Sequence, residues 1–160
     1  MQKTKIFISS TIYDFKYLRS ALEYHLEKLG FSVQLSERPN FDTNTDEATY
    51  KICLDNISTC QYFVLLIGCR VGGYYNEKNN ISITRAEYER AYQLHLEKKI
   101  KLICFVEREI LILKEAYKEH PVSEGDKHKR ISGNPQVLFD FIDLVRRSKE
   151  MKIASITSKI

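Results

Sequence analysis

The chain has 160 residues, enough for one domain with a proper core. Apolar residues make up 43% and charged residues 29%, which excludes a disordered chain, and no apolar run approaches a bilayer-spanning length. The net charge of +4 favours an anionic ligand mildly and falls short of a nucleic-acid footprint.

In chain order, residues 5–8 are an apolar, β-branched run ending in Ser9-Ser10-Thr11, which predicts a buried strand and a tight loop. Thr11 and Asp14 have capping-box spacing, so a helix follows, with Leu18, Leu22, Leu26 and Leu29 as its apolar stripe and Gly30 as its stop. Residues 31–35 form the next strand and the polar stretch 37–46, with Pro39, a loop. A second helix covers 48–59, with Ile52 and Leu54 inward. Residues 61–67 are the most apolar stretch and predict a central strand buried on both faces. Gly68, Gly72 and Gly73 break it, and a polar segment continues through Asn79 and Asn80. A third helix covers 84–97 and a fourth buried strand 101–106. Residues 107–119 read as helix, with 110–113 equally compatible with a strand. Residues 121–133 are a charged loop, Asn134-Pro135 opens a helix to about Arg147, and 153–157 supply a fifth strand.

Alternating strands and helices imply a single α/β domain over residues 1–160: an open parallel sheet of four to five strands flanked by helices. With the flavodoxin-like order 2-1-3-4-5, the ligand crevice lies where the order reverses, between the strands at 5–8 and 61–67. The loops leaving those two strands are also the most unusual in the chain.

Ser9, Ser10 and Thr11 place three hydroxyls at a helix N-terminus, a favourable anion site, although capping alone accounts for them equally well. Arg70 among Gly68, Gly72 and Gly73 offers a bidentate phosphate partner in a loop that a ligand can approach closely; a purely steric need for glycine is the alternative. Ser82 and Thr84 open the third helix, and Glu87 falls in its first turn, suited to ribose hydroxyls or a developing oxocarbenium ion. Thr84-x-x-Glu87 is also a capping box, which would leave Glu87 purely structural, and Glu89 points to another, solvated face. Tyr74 and Tyr75 are candidates to stack on a base. Cys53, Cys60, Cys69 and Cys104 lack C-x-x-C spacing and the four histidines are scattered, so reduced core thiols and no metal site are expected. The N-terminal residues lack the apolar segment and cleavage site of a signal peptide, so a cytoplasmic location is expected, with neither membrane nor nucleic acid as a partner.

Residues 5–11, Cys53-Leu54 with Ile57, residues 62–68 with Arg70 and Gly72-Gly73, and Ser82-Ile-Thr84 with Glu87-Tyr88 and Ala91 together resemble the domain of unknown function family numbered 4062. The resemblance covers about residues 3–106. It implies a fold similar to Toll/interleukin receptor (TIR) domains and nucleoside deoxyribosyltransferases. It also implies a place at the N-terminus of a longer multidomain protein, often a bacterial defence or signalling protein. Both relatives carry a glutamate followed four residues later by alanine, which Glu87 and Ala91 reproduce, and there the glutamate acts on an N-glycosidic bond. The chain departs from them in having no tryptophan and in carrying Glu97-Lys-Lys-Ile100 after the helix.

Three functions follow from the resemblance. The first is a hydrolase cleaving the N-glycosidic bond of NAD or a related nucleotide, with Glu87 catalytic, Ser9, Ser10, Thr11 and Arg70 on phosphates and Tyr74 on the base. NAD or nucleotide is then substrate, and no cofactor is required. The second is a nucleotide sensor using the same pocket without turnover. The third is an interaction module that self-associates on activation or recruits other domains of a parent protein.

Overall fold

The computed structural model describes residues 3–35, 47–119, 130–148 and 153–156. The elements run β1 (Lys5–Ser10), α1 (Ile12–Lys28), β2 (Ser32–Leu35), α2 (Glu47–Ile57), β3 (Tyr62–Ile67), β4 (Tyr74–Asn76), β5 (Ile81–Ser82), α3 (Ile83–Leu96), β6 (Lys101–Glu107), α4 (Arg108–Glu119), α5 (Pro135–Arg147) and β7 (Ile153–Ile156). The main sheet has the order β2-β1-β3-β6-β7, and all its pairings are parallel. This is the expected 2-1-3-4-5 order, with β1 and β3 as adjacent inner strands. The reversal point therefore lies between their C-terminal ends.

The alternation of side chains along the strands divides the core in two. On one face Phe7, Phe63, Leu65, Cys104 and Val106 pack against Ile57, Tyr88, Ala91, Leu94, Ile110 and the α5 residues Val137, Leu138, Phe141, Ile142 and Val145. On the other, Ile6, Ile8 and Leu66 pack against Phe15, Leu18, Leu22 and Leu26 of α1. Leu18, Leu22 and Leu26 of the expected α1 stripe pack inward, while Leu29 lies past the helix and is 73% exposed. Residues 108–119 of the stretch 107–119 form a helix, α4, with Ile110 buried, while Glu107 ends β6. Asn134 caps α5 by accepting from the Gln136 N–H at 2.9 Å, worth about 1 kcal/mol, with Pro135 at the first helical position.

Two expectations are corrected. The polar segment after the glycines holds a short antiparallel hairpin, β4 with β5, in which Tyr74 pairs with Ser82. Strand β6 is not buried throughout, since Lys101 is exposed and Ile103 is 42% exposed on the α1 side of the sheet. Residues 37–46 and most of 121–133 lie outside the described residues, as does the side chain of Ile52.

Two buried acids tie stability to pH. Burial pushes the Cys104 thiol up from 9.0 to about 12 and, against a hydrogen bond to Ser148, the Tyr88 hydroxyl from 10.0 to about 12. The folded state therefore holds protons that the unfolded chain releases above about pH 9, so stability is complete below that pH and falls as pH rises toward 12. Denaturant melts between pH 8 and 11 should show a falling midpoint, and Cys104→Ala should flatten part of that slope.

Candidate functional site

Three helix N-termini, those of α1, α3 and α5, converge on the C-terminal ends of β1 and β3. Between them lies a pocket with about 290 Å³ of free space including its opening, lined by Thr11, Gly68, Arg70, Ser82 and Thr84 over an apolar floor. The floor comprises Leu66, Ile67 and Val71 with Val137, Leu138 and Phe141 of α5. Five of the residues singled out from the sequence thus come together. The α5 wall was missed, because its apolar residues read only as core.

Ser9 and Ser10 are not on that lining. They sit at the end of β1, 0% and 4% exposed, pointing to opposite faces of the sheet. The Ser9 hydroxyl donates to Glu87 Oε2 at 2.5 Å, while Ser10 Oγ accepts from Arg19 Nη1 at 2.8 Å. Arg19 also donates to the Ser10 carbonyl at 3.3 Å and is itself only 2% exposed. Both serines are therefore committed to buried charged groups. A phosphate would have to displace those groups to reach the hydroxyls.

Glu87 does not form the capping box expected for it. Helix α3 starts at Ile83, with Ser82 as its cap, accepting from the Arg85 N–H at 3.2 Å. That places Glu87 in the second turn, where its side chain turns inward, 2% exposed, to Ser9 across 78 residues of sequence. Thr84, one turn earlier on the same face, reaches the pocket wall. Glu89 pairs with Arg85 on the outer side, as expected. Ala91, the next residue on the face of Glu87, is fully buried against the core.

Asp14 takes a role that its local spacing hid. Thr11 makes no side-chain cap to α1; its hydroxyl instead donates to Asp14 Oδ2 at 2.8 Å. The same carboxylate accepts from the Arg70 N–H at 3.0 Å, from the Cys69 thiol at 3.6 Å and from Arg70 Nε at 2.9 Å. Helical geometry breaks at the next residue, Phe15 (φ −120°, ψ 21°), which frees the first turn to aim Asp14 at the loop. Asp14 thus latches the segment after β3 onto α1. Burial, followed by the Asp14 charge, pushes the Cys69 thiol up from 9.0 to about 11, so this thiol is not a nucleophile at neutral pH.

The glycines are explained by this latch. A Cβ on Gly68 would lie 2.7 Å from Asp14 Oδ2 and 2.9 Å from Phe15 Cε2, and Gly72 (φ +78°) brings the loop against Thr11 Cγ2. Gly68→Ala should therefore cost about 1–3 kcal/mol by forcing the loop off α1, read as a lower denaturation midpoint. Gly73 accepts from the Ile83 N–H at 2.9 Å and anchors the hairpin to α3. Tyr74 packs half-buried against the core, and neither it nor Gly72 or Gly73 lines the pocket. Arg70 is 44% exposed, with its guanidinium 5.4 Å from the ring centroid of the exposed Tyr13.

The sequence profile of a domain of unknown function, DUF4062, matches residues 5–158. The chain belongs to this family. The match carries the DUF4062 domain through β7, well past the residues on which the resemblance rested. No curated protein matches the chain. No helix among the described residues of this DUF4062 domain is long and apolar enough to cross a membrane.

Proposed function

We propose that this domain binds a nucleotide at the C-terminal ends of β1 and β3 and cleaves its N-glycosidic bond, with Glu87 as the working carboxylate. The observation that carries this reading is the buried Glu87 carboxylate, held by Ser9 at the reversal point of the sheet and one turn from Thr84 on the pocket wall. A carboxylate so placed suits stabilisation of an oxocarbenium-like transition state, in which a positive charge develops on the ribose carbon. NAD or a related nucleotide is the substrate class, and water completes the reaction. Kinship to TIR domains and nucleoside deoxyribosyltransferases is supported by the strand order and by the Glu87–Ala91 pair. Defence or signalling, a cytoplasmic setting, further domains of a parent protein and self-association on activation belong to the same proposal.

A second reading, nucleotide sensing without turnover, is favoured by one specific observation: Glu87 is 2% exposed and does not line the pocket. Catalysis requires that ligand binding open the Ser9–Glu87 side to the pocket. Incubation with NAD and a nucleotide panel, with products followed by chromatography and binding by calorimetry, separates the two. Base release supports the enzymatic reading, binding with no product leaves the sensor, and neither binding nor product removes both.

A further inference from the structure

We propose that two copies of this chain dimerise through the α1 side of the sheet, the outer tyrosines of α1 in each copy lying on the open β6–β7 half of that face in the other. This rests on the self-association named above and assigns its surface. It does not depend on nucleotide binding.

The open half comes from an imbalance of helices. Among the described residues, α2, α3, α4 and α5 all pack on one face of the sheet, through Ile57, Tyr88, Ile110 and Ile142. Only α1 packs on the other, where Leu18, Leu22 and Leu26 meet Ile6, Ile8 and Val33 of β1 and β2. Over β6 and β7 that face carries no helix among the described residues. Ile103 is 42% exposed there, Phe105 is half-buried, and Ala154, which pairs with Phe105, is exposed. A parallel sheet is ordinarily covered on both faces, because its apolar side chains project to both.

The second feature is the outer face of α1. Tyr17, Ser20 and Tyr24 share one line of the helix, opposite Leu18, Leu22 and Leu26. Tyr17 is 87% exposed and Tyr24 54%. A surface helix ordinarily carries charges along such a line. Tyrosine instead offers a rigid apolar ring with a polar tip, a composition enriched at interfaces. Ser20 is small and leaves room between the two rings for an apolar side chain from a partner.

The two features lie side by side on one face, and this selects the symmetry. A two-fold axis parallel to the strands exchanges left and right while keeping strand direction, so α1 of each copy comes to rest on β6 and β7 of the other. An axis across the strands would stack α1 on α1 and leave both open halves uncovered. Charge agrees with the first arrangement. Helix α1 runs antiparallel to the strands, as the crossover between parallel β1 and β2 requires. Its Lys16 end therefore meets the copy's β6 where that strand finishes at Glu107, and its Glu23 and Glu27 end meets β6 where it starts at Lys101. Lys28 at the latter end lies over its own Tyr24 ring, 4.4 Å from the centroid.

The whole chain, with and without NAD, should sediment as a concentration-dependent dimer. Tyr17→Arg and Ile103→Glu should each weaken the dimer about tenfold or more, whereas Ile112→Ser, at an exposed position of α4, leaves it unchanged. All three positions are exposed, and thermal melts check that each variant is folded. An equimolar mixture of Tyr17→Arg with Ile103→Glu should restore the dimer, because one contact of the mixed pair is unaltered and the other brings opposite charges together. A dimer that neither variant weakens, or that the mixture fails to restore, would overturn this surface and leave self-association standing. A monomer at every concentration, with and without NAD, would overturn both. Neither result bears on nucleotide cleavage.

Discussion

Glu87→Gln should lower nucleotide cleavage at least a hundredfold while the thermal midpoint moves by no more than a few degrees. The two halves of this expectation have separate causes. Glutamine retains a carbonyl oxygen that can stand at the position of Oε2, so the Ser9 hydroxyl keeps an acceptor. The charge, however, is gone. Loss of one preorganised electrostatic group facing a developing charge costs about 10²–10³ in rate. Ser9→Ala makes the complementary change, leaving the carboxylate charged but releasing its orientation, and should reduce cleavage less than Glu87→Gln does. Glu89→Gln alters only the outer pair with Arg85 and serves as the control. Single-turnover product release together with a thermal melt checks all three variants. A folded Glu87→Gln protein cleaving at the parent rate would take Glu87 out of the mechanism.

Asp14→Ala should cost about 2 kcal/mol, which for a domain of this size lowers the melting temperature by about 4–8 °C. Its Coulomb contribution is discounted, because Arg70 is 44% exposed and water screens the pair. The larger loss is the set of hydrogen bonds converging on a carboxylate whose side chain is only 5% exposed. A second readout separates latch from generic damage. Asp14→Asn removes the negative charge that helps hold the Cys69 thiol near 11, so its pKa should fall part of the way back toward 9.0. Alkylation of Cys69 at pH 8 should then accelerate severalfold. Burial, the first cause of the shift, persists in that variant and keeps the change partial. An unchanged alkylation profile would show that Asp14 does not sit against Cys69 in solution.

The strand order and the site's position were legible in the sequence because both follow from local patterns. Apolar runs at 5–8, 61–67 and 101–106 separated by helix-length segments leave few parallel topologies, and the reversal point follows from the order. Roles that depend on distant contacts were not legible. Asp14 stands three residues after Thr11, a spacing that a capping box explains fully, whereas its real partners lie 55 and 56 residues away. Glu87 presented the same ambiguity after Thr84, and its partner Ser9 is 78 residues distant. The β4–β5 hairpin escaped because Tyr74–Asn76 and Ile81–Ser82 are too short to show a period. The α5 wall of the pocket carries the same apolar signal as any core-facing helix.

The adjacency of Ser9 and Ser10 has one further consequence, for the insertions and deletions that β1 can tolerate. Strand side chains alternate strictly, so each serine meets its charged partner only while the count of residues through β1 is preserved. Adding or removing a single residue would swap the two hydroxyls between the layers. It would also turn Ile6 and Ile8 toward the α3 side and Phe7 toward α1, so that neither buried ion and neither half of the core would find its complement. Sequence drift in β1 is therefore confined to substitution. Length variation has to fall outside it, before Lys5 or in segments that do not index the sheet.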